Sequence, residues 1–195
     1  MFRWLHISDT HFDVKIEGVD TNTLRDELVD YLKTLESFDA LIITGDLCSG
    51  NKKDEDVVND TVRFIKSIAD AAGISNYAQI YMVPGNHDVQ RSDVRIDAVG
   101  GAKREYESKD GSFDSRLEFL LSSFSYFREV EKGLYSGTTK ADFLPEKDNP
   151  HFICVTKNLC IIHLNTAIFS CENGEEGHLR IGNKYLHQKL KDAKD

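Results

Sequence analysis

Three short polar segments of the chain carry side chains that are able to bind metal ions. They read Asp9-Thr10-His11, Gly45-Asp46 and Gly85-Asn86-His87-Asp88. A carboxylate and an imidazole two residues apart, as in the first segment, can reach the same cation. The carboxylate of Asp46 has two oxygens and can bridge two cations, and Asn86 offers a neutral carbonyl oxygen. Such mixed nitrogen and oxygen ligands suit ions such as Mn, Fe, Zn or Co rather than a thiolate site, so the pattern predicts a divalent metal centre.

Each polar segment follows an apolar run that is typical of a β-strand. The runs are Phe2–Ile7, Ala40–Thr44 and Gln79–Val83. Two helical patterns separate them, and this strand–helix–strand–helix–strand order predicts a mainly parallel sheet with right-handed connections. The polar segments then gather at the carboxyl edge of the sheet, where open α/β sheets place their ligands. Gly45 and Gly85 are expected to let the backbone turn sharply and bring the site side chains close to the ions.

The two helical patterns are stripes of apolar residues at helical spacing. The first contains Leu24, Leu28, Tyr31 or Leu32, and Leu35, and it follows the possible N-cap residues Thr21, Asn22 and Thr23. The second contains Val58, Val62, Ile65, Ile68 or Ala69, and Ala72, and Gly73 provides its stop.

Residues 89–150 interrupt this alternation. Asp93–Ser112 is polar and contains glycines, and no helix is assigned to it, whereas Arg116–Glu131 is predicted to be a helix. The region is interpreted either as an insertion that lies over the site or as a surface excursion that extends the core. A hairpin is predicted for Phe152–Leu164, with its turn at Lys157-Asn158, and a closing helix for Asn183–Ala193. The prediction is a single domain over residues 1–195 with an insertion at about 89–150.

The three polar segments, in this order and each at the end of a predicted strand, resemble the calcineurin-like metallophosphoesterase family. The pattern of that family runs D-x-H, G-D, G-N-H-[DE], a lone histidine and G-H-x-H. The first three blocks are matched over Phe2 to about Asp88, and Leu164-Asn165-Thr166 looks like the next strand end of the family. The resemblance implies an α/β fold in which layered sheets form a sandwich with flanking helices.

The same resemblance implies a role for each site residue. Asp9 and His11 would bind a first ion, Asp46 would bridge the two ions, and Asn86 would bind the second. His87 would contact the substrate phosphate or protonate the leaving oxygen, and Asp88 would orient it. The activity implied is the hydrolysis of phosphomonoester or phosphodiester bonds through a dinuclear centre and metal-bound hydroxide, because two ions lower the pKa of a shared water toward about 7. The partner implied is a phosphate-ester substrate.

The last two blocks of the family pattern are not found in the sequence. Gly177-His178-Leu179-Arg180 begins like the final block but lacks its second histidine. His6 and His163 fall inside predicted strands and are interpreted as packed residues, while His151 and His187 are interpreted as surface residues. The chain is therefore interpreted as an N-terminal part, truncated before its last strands, and a further C-terminal segment is expected. The isolated part is expected to turn over slowly or not at all.

Composition and charge narrow the possible partners and location. The formal net charge of −9 is unfavourable for non-specific duplex binding, which depends on Lys and Arg, whereas clustered carboxylates suit divalent cations. No apolar run approaches the roughly 20 residues of a membrane span, and the N-terminus lacks a secretory pattern. No membrane partner and a cytoplasmic location are therefore expected. The four cysteines are expected to be reduced, buried and apolar in character.

Two further functions stay open at this point. The opening Leu5-His6-Ile7-Ser8-Asp9-Thr10-His11 is similar to that of DNA-processing members of the family, so a Mn-dependent nuclease is possible, although the acidic balance does not favour a nucleic-acid partner. A non-catalytic binding module on the same fold is the alternative outside the enzymes. Three intact blocks argue against that alternative.

Overall fold

A computed structural model describes residues 1–11, 17, 20–48, 55–109, 111–138, 150–156, 159–172 and 180–192. Its first strands, β1 (Trp4–Ile7), β2 (Ala40–Ile43) and β3 (Ile80–Met82), form a parallel sheet in the order β1-β2-β3. The predicted parallel sheet is therefore confirmed. Because the three strands run in one direction and their ends are in register, the chain leaves all of them at the same edge of the sheet.

The helix between β1 and β2, α1 (Thr21–Leu32), has its N-cap one residue before the predicted cap residues. Its N-cap is Asp20, whose carboxylate accepts the backbone N–H groups of Asn22 and Thr23 at 3.0 and 3.4 Å. Of the apolar stripe noted in the sequence, only Leu32 is buried, since Leu24, Leu28, Tyr31 and Leu35 are all exposed. The face of α1 that packs on the core instead carries Val29 and Leu32.

The helix between β2 and β3, α2 (Glu55–Ala71), has the predicted apolar face. Its buried residues include Val62, Ile65, Ile68 and Ala69, which contribute to the central hydrophobic core. Gly73 follows with a φ of +77°, a left-handed conformation that ends helices and suits glycine. A 3₁₀ turn at Tyr77–Gln79 then leads into β3.

Three helices occupy the segment after the third polar loop. They are α3 (Asp93–Ser108), α4 (Asp114–Ser122) and α5 (Ser125–Tyr135). The assignment of no helix to Asp93–Ser112 is therefore wrong, and Arg116–Glu131 is two helices with a break at Ser123 and Phe124 rather than one. α5 packs on α2, and α3 packs on α4, so these helices extend the common core. The single domain with an insertion at about 89–150 stays a prediction, as does a position of that insertion over the site.

The buried side chain of Arg95 in α3 connects this helical segment to the part of the chain that follows the last described strand. Its guanidinium is fully buried and donates to the carbonyl oxygens of Leu120, Ile168 and Ser170 at 2.7–2.9 Å. A buried charge needs such hydrogen bonds to offset its desolvation. α3, α4 and the segment after the last described strand are thereby held together.

The predicted hairpin consists of β4 (Phe152–Thr156) and β5 (Leu159–His163), which pair antiparallel with Val155 opposite Cys160. His163 is buried, and its Nδ1 lies 2.9 Å from the carbonyl oxygen of Met82, which connects the hairpin to β3. All four cysteines are free thiols, but Cys160 is exposed, contrary to the prediction that all are buried.

The last described element is α6 (Asn183–Asp192), close to the predicted closing helix. Among the described residues, no helix combines the length and the apolar character that a membrane crossing requires.

Candidate metal centre

Asp9, His11 and Asp46 come together at the carboxyl edge of the sheet. One ligand atom from each of the three side chains lies within 4.8 Å of the other two. The backbone brings them there, because the N–H of Asp9 donates to the carbonyl oxygen of Gly45 and that of His11 to the carbonyl oxygen of Asp46, both at 3.1 Å. The loop after β1 and the loop after β2 therefore run side by side.

The same three residues have left-handed backbone conformations. Their φ angles are 55° for Asp9, 41° for His11 and 53° for Asp46, and among the described residues no other non-glycine residue has a positive φ. Such a conformation costs a side-chain-bearing residue about 1–2 kcal/mol. Strained backbone of this kind concentrates at functional sites. Here it turns three potential ligands toward one point.

Gly45 and Gly85 allow the loops after β2 and β3 to touch. A Cβ on Gly45 would lie 2.1 Å from the backbone nitrogen of Gly85, and a Cβ on Gly85 would lie 2.2 Å from Oδ1 of Asp46. Neither position has room for a side chain, and Gly45 also has a φ of +88°. These glycines therefore let the two loops approach closely, while the expectation that they bring side chains close to the ions stays a prediction.

Asp88 fastens the same two loops from inside. Its side chain is 3% exposed, and it accepts four backbone N–H groups, those of Asp46, Leu47, Cys48 and Gly85, at 2.8–3.3 Å. Burial raises the pKa of Asp88 to about 7, against the hydrogen bonds, which lower it. These contacts make Asp88 a clamp between the loops. The predicted orientation of His87 by Asp88 stays a prediction.

His87 and Asn86 lie on two sides of Asp46. The ring of His87 meets the ring of His11 edge to face, with centroids 5.0 Å apart, and its backbone N–H donates to Oδ1 of Asp46 at 2.8 Å. His87 lines a cavity of about 760 Å³ together with Asp9 and His11. Asn86 lines a second cavity of about 450 Å³, which Asp46 also lines. Asp46 thus borders both places where a cation is predicted.

The arrangement of Asp9, His11 and Asp46 fits a divalent cation. Ligand atoms that lie about 2.0–2.2 Å from one ion are at most about 4.4 Å apart, so a spread of 4.8 Å needs only a small adjustment. The Nδ1 atom of His11 is buried and has no hydrogen-bond partner among the described residues. A buried polar atom without a partner is costly unless a ligand satisfies it. Carboxylate oxygens and an imidazole nitrogen are a donor set for Mn, Fe or Zn.

Histidines away from this cluster were harder to place from the sequence. His6, interpreted as packed, is exposed, and its Nε2 lies 2.8 Å from the hydroxyl of Thr44. His151, interpreted as a surface residue, is fully buried against the carbonyl oxygen of Ile181, and burial lowers its pKa. His187 is exposed as predicted. The segment of Gly177 and His178 lies mostly outside the described residues.

One wall of the larger cavity was not recognised as functional in the sequence. Leu24, Arg25 and Leu28 of α1 and Phe64 of α2 line it beside Asp9 and His11. The apolar spacing in α1 was the available signal, but it was interpreted only as the pattern of a helix. Exposure of Leu24 and Leu28 shows that this face of the helix is open to the cavity.

Comparison with known proteins gives one family and one relative. The sequence profile of the calcineurin-like phosphoesterases matches residues 2–192. A protein of Bacillus subtilis (strain 168), described as the uncharacterized metallophosphoesterase-like protein YydB, is 28% identical over 200 residues. The alignment covers 97% of this chain and 38% of the length of that relative. The relative therefore contains long regions to which nothing in this chain corresponds.

Proposed function

The chain belongs to the calcineurin-like phosphoesterase family, and from this premise we propose that it hydrolyses phosphoester bonds with two divalent cations. The observation that carries the proposal is the convergence of Asp9, His11 and Asp46 within 4.8 Å. These three residues would hold the first cation. Asp46 and Asn86, which border the second cavity together, would hold the other, with Asp46 as the bridge.

The cations, once bound, supply a nucleophile at neutral pH and offset the negative charge of the phosphate oxygens. The protein contributes the positions of the surrounding groups. His87 borders the same cavity as Asp9 and His11, and the proposal assigns it the proton that the leaving oxygen needs. Asp88 acts through the backbone, because its four hydrogen bonds hold the loops that carry Asp46 and Asn86.

Small phosphoesters are the proposed substrates rather than nucleic acid. The net charge of −9 opposes the approach of a polyanion. A metal-dependent nuclease is the alternative within the family. A non-catalytic scaffold is the alternative outside it. Because the chain covers 38% of the relative's length, additional ligands and substrate contacts from further regions are part of the proposal.

The test compares Asp46→Asn with Asp97→Asn in the longest natural chain that contains this sequence. Asparagine keeps an oxygen for the N–H of His87 but removes the charge and the second carboxylate oxygen. Asp97 is an exposed carboxylate on α3 and serves as the matched control. We expect Asp46→Asn to lower kcat/KM for bis(4-nitrophenyl) phosphate with Mn by about 100-fold or more, and Asp97→Asn to leave it unchanged.

The same assay separates the alternatives. Unchanged turnover by Asp46→Asn would refute the bridging role. Cleavage of a plasmid at a higher kcat/KM than the small ester would favour the nuclease. A protein that retains no Mn, Fe or Zn after supplementation, as measured by elemental analysis, would favour the scaffold.

A further inference from the structure

The cavity beside the metal residues has two kinds of wall. Loop residues Asp9, His11 and His87 form the polar wall, and Leu24, Leu28 and Phe64 of α1 and α2 form an apolar one. Its volume of about 760 Å³ lies within the range of about 300–1,000 Å³ that small-molecule sites occupy. A single small ligand could therefore touch both walls.

Phe64 of the apolar wall packs partly against the hydrophobic core, but the two leucines of this wall are exposed. Leu24 is 59% exposed and Leu28, one helical turn later, is 38% exposed. Single exposed apolar residues are common, but these two share their cavity with the proposed metal ligands. The guanidinium of Arg25 lies 5.6 Å from the ring centroid of Phe64, so a flat cation and a flat ring stand together at the same wall. Flat faces of this kind stack well on aromatic groups.

We propose that this cavity binds the alcohol portion of the substrate, and that this portion carries an aromatic group. The inference rests on the proposed function, in which the phosphate lies at the cations beside Asp9 and His11 and His87 supplies the proton of the leaving oxygen. The rest of the ester then extends along the cavity toward Leu28 and Phe64. The substrate class is accordingly a low-molecular-mass phosphoester with an aromatic ring close to the ester oxygen.

A binding experiment tests the inference without catalysis. Benzylphosphonate and 2-hydroxyethylphosphonate share the phosphonate group, resist hydrolysis and differ in the aromatic ring. Isothermal titration calorimetry with the Mn-loaded protein should show benzylphosphonate binding about tenfold more tightly or better, which is the gain expected from burying much of a phenyl ring.

Two variants make the experiment specific. Leu28→Ala shortens the apolar wall and should reduce the preference for benzylphosphonate about threefold or more. Leu35→Ala is the matched control, because Leu35 is also 38% exposed and does not line the cavity. It should keep the wild-type preference. Circular dichroism of both variants should match that of the wild type.

The outcomes distinguish this inference from the proposed function. Equal affinity for the two phosphonates, or a preference that survives Leu28→Ala unchanged, would overturn the aromatic site while the metal centre stands. Mn binding is measured first by the same method. If no Mn binds, the metal centre itself is refuted, and the inference fails with it.

Discussion

A methyl group on Gly85 would collide with the carboxylate of Asp46, and Gly85→Ala should therefore remove metal binding while the core remains folded. The Cβ atom would lie 2.2 Å from Oδ1 and 2.6 Å from the backbone nitrogen of Asp46. Cβ atoms of real proteins essentially never approach other heavy atoms closer than 3.0 Å, so the carboxylate must move by about 0.8 Å. Metal–ligand distances tolerate deviations of about 0.2 Å. The substitution should thus displace Asp46 from the shared ligand position.

The expected magnitudes follow from that displacement. Loss of one ligand from the cluster should weaken Mn binding by about 100-fold or more, since even disturbing the support of a ligand costs about 10–100-fold. Overpacking should lower the free energy of unfolding by about 1–3 kcal/mol. Titration calorimetry gives the first quantity and urea denaturation the second.

Gly100→Ala is the matched control for Gly85→Ala. Gly100 lies inside α3, and the nearest neighbour that its Cβ would meet is the end of the Arg104 side chain, at 3.7 Å. Alanine is the better helix former, so this variant should gain about 0.5–1 kcal/mol and keep the wild-type affinity for Mn. The predicted displacement of Asp46 is refuted if Gly85→Ala folds and binds Mn as tightly as Gly100→Ala does.

Two further predictions concern carboxylates that support the fold. Asp88→Asn should lower the free energy of unfolding at pH 8 by about 2–4 kcal/mol. The reason is that an amide cannot accept all four backbone N–H groups and leaves buried donors unpaired. A loss below about 1 kcal/mol in urea denaturation would contradict the role of Asp88 as a clamp between the loops. Hydrogen bonds from Lys184 and Tyr185 lower the pKa of Asp114 to about 2. Since this folded-state pKa is below the unfolded value, its stabilisation is present above about pH 4 and is lost as the pH falls through about 2. Asp114 is 57% exposed in its side chain, so Asp114→Asn should cost only about 1 kcal/mol or less at pH 7 and less than that near pH 2, and an equal cost at both pH values would count against the ion pair.

The central sheet and the metal loops were predictable because their signals are local. Each strand is a short apolar run cut off by glycine and polar residues, as at Gly45 and Gly85. The periodicity of α2 is equally local, and Gly73 marks its end. Once the sheet is parallel, its topology alone gathers Asp9 and Asp46 at one edge.

The features that could not be predicted from the sequence depend on tertiary contacts. α3 contains Gly100 and Gly101 and has many charged residues, yet it folds around Arg95, whose three carbonyl partners all lie at least 25 residues from it in the sequence. The exposed stripe of α1 has the same spacing as a core stripe, and only the packing of α1 on α2 tells them apart. His6 shows the same limit, because strand periodicity does not reveal which face of β1 is covered.

Asp9, His11 and Asp46 are not the residue types that their backbone conformations favour. All three occupy left-handed conformations, which glycine would adopt at no steric cost and which side-chain-bearing residues adopt at about 1–2 kcal/mol each. Asp and His are among the non-glycine residues that tolerate this region best, so the energetic cost is moderate. Stability of the fold by itself would still favour glycine at these positions. The loops hold that strain through the Asp88 clamp and the contact of Gly45 with Gly85. A fold that keeps ionisable side chains at these left-handed positions, with their ligand atoms within 4.8 Å, supports a binding role for those side chains.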